Sequence, residues 1–346
     1  MIKGVRKSLL SFLTVCSILL LLVVSGCGSS ASSSSSGKAD TSPAKGAASS
    51  ETITVNVAQN GGMGPLAIIQ EKGWLEEEFQ ALNAKVSWSE FASGPPLLES
   101  LVAGRVDLSL LGDGAALQGQ AAGLPFIYIA NISTGTNVNT IVVPASSEIK
   151  SIPDLKGKQI ALAKGTTSHV FLLKVLDRNG LTEKDVSIVN LQFPDALPVF
   201  QAGQVDAWVT VDPYTTQLVD SKEAVILAGA DQNILAPGNL IARTPFSKEH
   251  PELVTAYLKV YLKAVNWQNE HVDEAAELIA NKKKVSPELM KKLMANSQAI
   301  LTPVTDEVID TQQLSADLLV REQFLKKPIQ ITDYVDNSFI NTLLEK

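Results

Sequence analysis

The sequence predicts an α/β protein of two lobes that face each other across a cleft, and three observations predict it. From Glu51 onward short β-runs alternate with helical stretches, the pattern of a sheet covered by helices. Glu51 to Lys346 amounts to 296 residues, more than one core usually serves. The segment AGRVDLSLLGD at 103–113 returns as AGQVDAWVTVD at 202–212, so two halves share one construction.

The elements follow in order. TITVNVAQ, Thr52 to Gln59, alternates apolar and polar residues at the strand period. A helix is expected through Leu66 to Phe79, opened by Pro65 in its first turn. KVSWSEFA is the next strand, Leu97 to Val102 the next helix, and VDLSLLG the third strand. In each AGxVD copy a helix ends at glycine (Gly104, Gly203) and a strand starts at aspartate (Asp107, Asp206). A second aspartate, Asp113 or Asp212, then falls at the strand's carboxyl end, where open α/β sheets bind ligands. Both are read either as ligand contacts or as caps of the following helix.

The stretch LAKGTTSH, Leu162 to His169, is a strand-to-helix turn. Gln159 to Ala163 reads as a short strand, and Phe171, Leu172, Val175 and Leu176 recur at helical spacing. A helix N-terminus leaves about four N–H groups unpaired and carries partial positive charge, a ready seat for an anion. The loops AQNGG at 58–62, FASGPP at 91–96, LGDG at 111–114, FPDA at 193–196 and VDPYTT at 211–216 are similarly rich in small and polar residues. Backbone amides and neutral hydroxyls replace an anion's hydration shell without a full counter-charge, which suits binding that must be reversed. The runs YIANISTGTNVNTIVVP and GNLIARTP are expected to carry the chain between lobes. The division is then 51–143 for the first part of lobe 1, 144–242 for lobe 2, and 243–346 for a largely helical segment completing lobe 1.

Upstream, a basic start (Lys3, Arg6, Lys7) and an apolar run from Leu9 to Val24 precede Ser25-Gly26-Cys27. This is a secretory signal, too short for a stable span, and its end resembles a bacterial lipobox. Residues 1–26 are expected to be a lipoprotein signal peptide, Cys27 the lipidated residue, and 27–50, nearly all small or polar, a disordered tether. The only other cysteine is Cys16, so disulfides, thiol catalysis and cysteine metal sites are excluded from the folded part. His169, His250 and His271 are scattered singly and match no ligand spacing, so no metal is expected. The formal charge of −7 becomes −10 once Lys3, Arg6 and Lys7 are removed, which argues against nucleic acid.

Gly62 to Ala67 formally fits a dinucleotide GxGxxA turn, with Glu90 at a suitable distance. A recycled cofactor does not suit a secreted protein, and Pro65 explains the turn, so no cofactor is expected. Neither GxSxG nor HExxH occurs. Asp113 and Asp212 could form an acid–base pair as in a glycosidase, yet the chain is only 5% aromatic, poor for stacking sugars. A surface-tethered hydrolase is the alternative from another class.

Across KVSWSEFASGPPLLESLVAGRVDLSLLGD, KGTTSHVFLLKVL, FQAGQVDAWVTVDPY, IARTPFSKEHPELV and PVTDEVIDTQQLSADLL, the chain resembles the aliphatic sulfonate-binding proteins of ABC importers. Their wider group includes nitrate, taurine and pyrimidine-precursor binders. The resemblance covers essentially the whole folded part. It implies a type II periplasmic-binding-protein fold, a ligand between the lobes, and delivery to an ABC permease by a monomer outside the cytoplasm. Such a protein is not an enzyme. It also implies ligand contacts at Gln59, Ser93, Gly94, Gly112 and Asp113 on one lobe, and at Gly165, Thr166, Thr167, Ser168, His169, Asp212 and Tyr214 on the other. KGTTSH is then the oxyanion seat, its helix dipole and hydroxyls holding the sulfonate oxygens. Two positions depart from the family: Val211 stands where a tryptophan is frequent, and Asn60 takes the place of a cation. The expected ligand is a small organosulfonate, an alkanesulfonate or taurine, with nitrate, a heteroaromatic or a pyrimidine precursor as alternatives.

Cys27→Ser is expected to leave the fold intact and move the protein from the membrane to the soluble fraction on ultracentrifugation. One acyl chain anchors only marginally, so the modification must supply several. An equally membrane-bound variant would remove the lipoprotein reading.

Overall fold

A computed structural model describes residues 51–295 and 299–345. The expected signal peptide, the 27–50 tether and Cys27 lie outside the described residues.

The first β-run forms β1 (Ile53–Asn60). The helix expected through Leu66 to Phe79 is two, α1 (Pro65–Lys72) and α2 (Trp74–Gln80). Gly73 between them has φ 67° and returns its amide to Gln70 and Ile69 carbonyls, a left-handed helix stop that glycine adopts without steric cost. There follow β2 (Ala84–Phe91), α3 (Gly94–Val102), β3 (Leu108–Gly112), α4 (Asp113–Ala121) and β4 (Phe126–Ser133). The next group is β5 (Asn139–Pro144), β6 (Gln159–Leu162), α5 (Thr167–Arg178), β7 (Ser187–Asn190), α6 (Phe193–Gln201), β8 (Ala207–Val211), α7 (Tyr214–Asp220) and β9 (Ala224–Ala228). Strand β10 (Gly238–Arg243) is followed by α8 (Thr244–Glu249), α9 (Pro251–Glu270), α10 (Val272–Lys283), α11 (Pro287–Ala295), α12 (Asp306–Arg321) and α13 (Ser338–Leu344).

Two five-stranded sheets result, ordered β2-β1-β3-β10-β4 and β7-β6-β8-β5-β9. In each, three strands run parallel and the fourth position is antiparallel to its inner neighbour. That antiparallel strand is always the first one after a crossing between sheets: β5 enters the second sheet, and β10 re-enters the first. The changes of sheet therefore fall at 134–138 and 229–237, not after residues 143 and 242 as the apolar runs suggested. The first run extends through a crossing into β5 of the far sheet, whereas GNLIARTP is β10 itself and lies wholly after the second crossing, so hydropathy marks neither change. The crossings lie side by side, with the Ala236 amide donating to the Thr134 carbonyl at 3.2 Å.

The repeated aspartates act as clamps at the entry of the inner strands. The Asp107 amide donates to Asn56 O at 2.8 Å, while its Oδ2 accepts from the Asn56 amide at 2.9 Å. The Asp206 amide and Oδ2 make the same pair with Gln159, at 2.9 and 2.8 Å. Asp107 does more: its Oδ1 accepts from Arg243 Nε and Nη2 at 3.0 and 2.6 Å, fastening the end of β10.

Apolar cores cover both faces of both sheets. In the first sheet Val55, Val57 and Leu108 pack under Leu253, Tyr257 and Tyr261 of α9. On its other face Leu97, Leu111, Leu117 and Tyr128 meet Leu318 and Leu319 of α12. In the second sheet Phe171, Leu172, Val175 and Leu176 of α5 pack on Ile141, Ile160 and Val209. The opposite side of α5 is apolar too, and Val170 and Leu173 belong to the core shared with α4 and α12.

Asp107→Ala leaves a guanidinium and two Asn56 donors without their acceptor, and is expected to cost about 3 kcal/mol. Asp206→Ala removes one backbone bond and should cost about 1 kcal/mol. Urea unfolding of the two variants beside the parent measures both, and equal losses would deny Asp107 its added role.

Candidate functional site

The α5 turn is built so that its backbone is presented and its side chains are tied back. Thr166 is extended (φ −106°, ψ 177°) before the helix starts, and its carbonyl accepts from the His169 and Val170 amides at 3.1 and 3.3 Å. The amides of Thr167 and Ser168 precede this first helical bond. Thr166 Oγ1 donates to Ala163 O at 2.7 Å, and Ser168 Oγ donates to Asn139 Oδ1 at 2.9 Å. Thr167 Oγ1 makes a longer bond to the same oxygen, at 3.3 Å. The hydroxyl protons of Thr166 and Ser168 are thus committed to protein oxygens, and what the turn offers an anion is chiefly N–H groups. Asn139, buried at the start of β5, leaves its Nδ2 without a partner among the described residues. It was missed in the sequence; its one mark is an amide heading the otherwise apolar run NTIVVP.

His169 lies behind this turn. Its Nε2 is 3.1 Å from Glu183 Oε2, its Nδ1 accepts the Gly165 amide at 3.4 Å, and its ring stands edge-on to Phe324 at 4.7 Å. It is fully buried, and these contacts make it a support for the turn. His169 first, and also Lys164 at 2.7 Å, hold the Glu183 carboxyl at about 2, against the opposing effect of burial.

At the neighbouring strand end, Asp212 Oδ1 accepts from the Thr216 amide and hydroxyl at 3.1 and 2.7 Å. Through this oxygen Asp212 caps the first turn of α7. Tyr214, half-buried, lies 6.4 Å from Phe193 in a stacked pair and 5.4 Å from Trp208. Burial, and then Asp195, raise its phenol. This aromatic group was not anticipated, because its members come from three elements separated in sequence.

On the first lobe Gln59 is buried and Asn60 partly exposed at the end of β1. Ser93 is buried with its Oγ unpartnered among the described residues. Gly94 opens α3 against Ala115, whose methyl a Cβ would meet at 2.2 Å. Asp113 is fully buried; its Oδ1 accepts from the Gly114 amide at 2.7 Å and its Oδ2 has no partner among the described residues. Burial pushes its carboxyl up to about 6, opposed by Lys174 and by that amide. Lys174, on α5, donates to Leu235 O of the second crossing at 3.0 Å. Burial lowers its ammonium, with Asp113 opposing.

The two lobes meet backbone to backbone at these turns. A Cβ on Gly114 would lie 2.2 Å from the Thr166 carbonyl oxygen, and one on Gly112 would lie 2.4 Å from Thr167 Cγ2. Gly112, Asp113, Thr166 and Thr167 are therefore one place in space, joined to Ser168 through Asn139. Gln59 and Asn60 stand one strand away, at the end of β1 beside β3.

The chain is similar to known proteins in sequence and in fold. The family "NMT1/THI5 like" matches residues 61–275. The "Putative aliphatic sulfonates-binding protein" of Bacillus subtilis (strain 168) is 36% identical over 295 residues, covering 85% of this chain and 88% of that protein. The taurine-binding periplasmic protein of Escherichia coli (strain K12) is 26% identical, over 83% of this chain and 92% of its own length. Among solved structures, the alkanesulfonate-binding protein SsuA from Xanthomonas axonopodis pv. citri, bound to MOPS, superposes with a TM-score of 0.78 at 29% identity, covering 83% of this chain and 99% of that one.

A raised carboxyl makes the folded state hold a proton that the unfolded chain has lost. The stabilisation from Asp113 is therefore present below about pH 4 and is lost as pH rises through about 6, by about 3 kcal/mol in full. Urea unfolding at pH 4.5 and 7.5 is expected to show this loss in the parent and a flatter profile in Asp113→Asn. Identical profiles would mean that the carboxyl is ionised at both values.

Proposed function

We propose, because the chain belongs to the aliphatic sulfonate-binding family within the NMT1/THI5-like group, that it captures a small organosulfonate between its lobes and hands it to an ABC permease. The ligand class is an alkanesulfonate or taurine. The protein works outside the cytoplasm, held to the membrane by acyl chains on Cys27, as a monomer and without catalysing a reaction. The observation that carries this reading is the junction of Gly112 and Gly114 with Thr167 and Thr166. It sets the first amides of α5 at the meeting of the lobes, where closure surrounds an anion with N–H donors.

The two aspartates support binding rather than hydrolysis. Two ionised carboxylates a few ångströms from a sulfonate would repel it by roughly 4 kcal/mol each at an effective dielectric of 20. Asp212 is spent on the α7 cap, and Asp113 is walled in with its carboxyl raised.

Calorimetry of the parent with ethanesulfonate, taurine and nitrate is expected to show one-to-one binding of a sulfonate and none of nitrate, with every compound recovered chemically unchanged. Gly114→Ala should weaken sulfonate binding at least about tenfold, about 1.4 kcal/mol, because its methyl meets the Thr166 carbonyl. Gly64→Ala, where a Cβ meets nothing within 4 Å, is the control. Binding of nitrate alone would move the reading to another ligand, and turnover would revive the hydrolase.

A further inference from the structure

A relay of three side chains runs from α10 to the tip of β1. Lys282 Nζ contacts Gln70 Oε1 and Glu71 Oε1, the latter at 2.9 Å. An ammonium has donors only, so the Gln70 amide must turn its oxygen to Lys282. The Gln59 amide lies against that same oxygen, with Nε2 at 2.5 Å, and can offer it nothing but its NH2. This assignment follows from the lysine and needs no choice between amide orientations. Gln59 Oε1 is thereby left facing away from Gln70 as an acceptor. It is fully buried and has no donor among the described residues.

The loop over this oxygen is shaped around it. A Cβ at Gly62 would lie 2.1 Å from Gln59 Oε1, so any other residue there would displace the acceptor. Val57 pairs with Leu108 across β1 and β3, which sets Gln59 level with Leu110. One strand spacing and two residues of rise put it roughly 8 Å from Gly112, where the lobes meet. The second lobe brings the α5 amides and the unpartnered Asn139 Nδ2 to the junction; the first brings two unpartnered acceptors, Gln59 Oε1 and Asp113 Oδ2, beside the Ser93 hydroxyl.

We propose that Gln59 Oε1 receives a hydrogen bond from the end of the ligand remote from its sulfonate, so that the ligand class is sulfonates carrying an N–H or O–H donor on a short chain. Gln59 is then a specificity-determining residue, and Gln70 and Lys282 are positioning residues that keep its oxygen turned to the ligand. The inference rests on the sulfonate reading above and narrows it. An alkanesulfonate without a donor would bury the acceptor unsatisfied, the situation in which binding sites discriminate most strongly.

The test is calorimetry of ethanesulfonate, 2-hydroxyethanesulfonate and taurine with the parent and with Gln59→Leu, Gln70→Leu and Gln70→Glu. In the parent, at least one donor-bearing sulfonate is expected to bind tenfold or more tighter than ethanesulfonate. The ratio should fall to about twofold in Gln59→Leu. It should fall also in Gln70→Leu, where the Gln59 amide is free to turn. Gln70→Glu keeps an oxygen against both partners and should keep the ratio, which a merely structural role for Gln70 would not separate from Gln70→Leu. Equal affinities for all three compounds in the parent would mean that water satisfies the acceptor, and would overturn the inference while leaving the sulfonate reading intact. So would an advantage that persists in both leucine variants. Absence of binding by all three compounds would overturn the sulfonate reading and this inference with it.

Discussion

The close approach of two backbones, at Gly112–Gly114 and Thr166–Thr167, is the constraint on which the rest of the molecule depends. Two helices begin at this place, α4 and α5, and both direct the positive ends of their dipoles toward it. They are not equivalent. The first turn of α4 contains Asp113, whereas that of α5 contains no acid, so the unopposed positive end is the one on the second lobe. Behind the junction Lys174 reaches the second crossing at Leu235. The α5 turn and the second crossing are therefore tied together by the same helix.

The two sheets share one strand plan but are completed differently. The second consists of five consecutive strands, β5–β9, whereas the first is complete only when the chain returns from the second lobe as β10. Asp107 shows what this requires. Its counterpart Asp206 holds one backbone amide, but Asp107 must also secure Arg243, 136 residues later in the chain, at the end of a strand. A carboxylate with both oxygens engaged does this where a backbone ladder alone would leave the strand end free.

The order of strands and helices was legible because its signals are local: strand period in TITVNVAQ, the glycine stops at 104 and 203, and the helical spacing of Phe171, Leu172, Val175 and Leu176. The turn at 165–168 was legible for the same reason. What escaped depended on contacts between distant segments. The change of sheet before β5 has no hydropathic mark, Gly73 reads as an ordinary residue inside an amphipathic run, and the reach of His169 to Glu183 and Phe324 is invisible in KGTTSH. Asn139 illustrates the limit well. A single amide at the head of an apolar strand acquires meaning only when Thr167 and Ser168 are seen to converge on it.

The double-sided packing of α5 bears on how the protein meets its ligand. Val170 and Leu173 lie in a core built by the other lobe, so parting the lobes would wet apolar surface at a cost of roughly 25 cal/mol for each square ångström exposed. That burial favours the present arrangement over one in which the lobes are parted. A ligand that selects a form already well populated gives up little of its intrinsic affinity to the selection. On the proposed reading, whatever takes the ligand onward would first have to supply the work of exposing those two side chains.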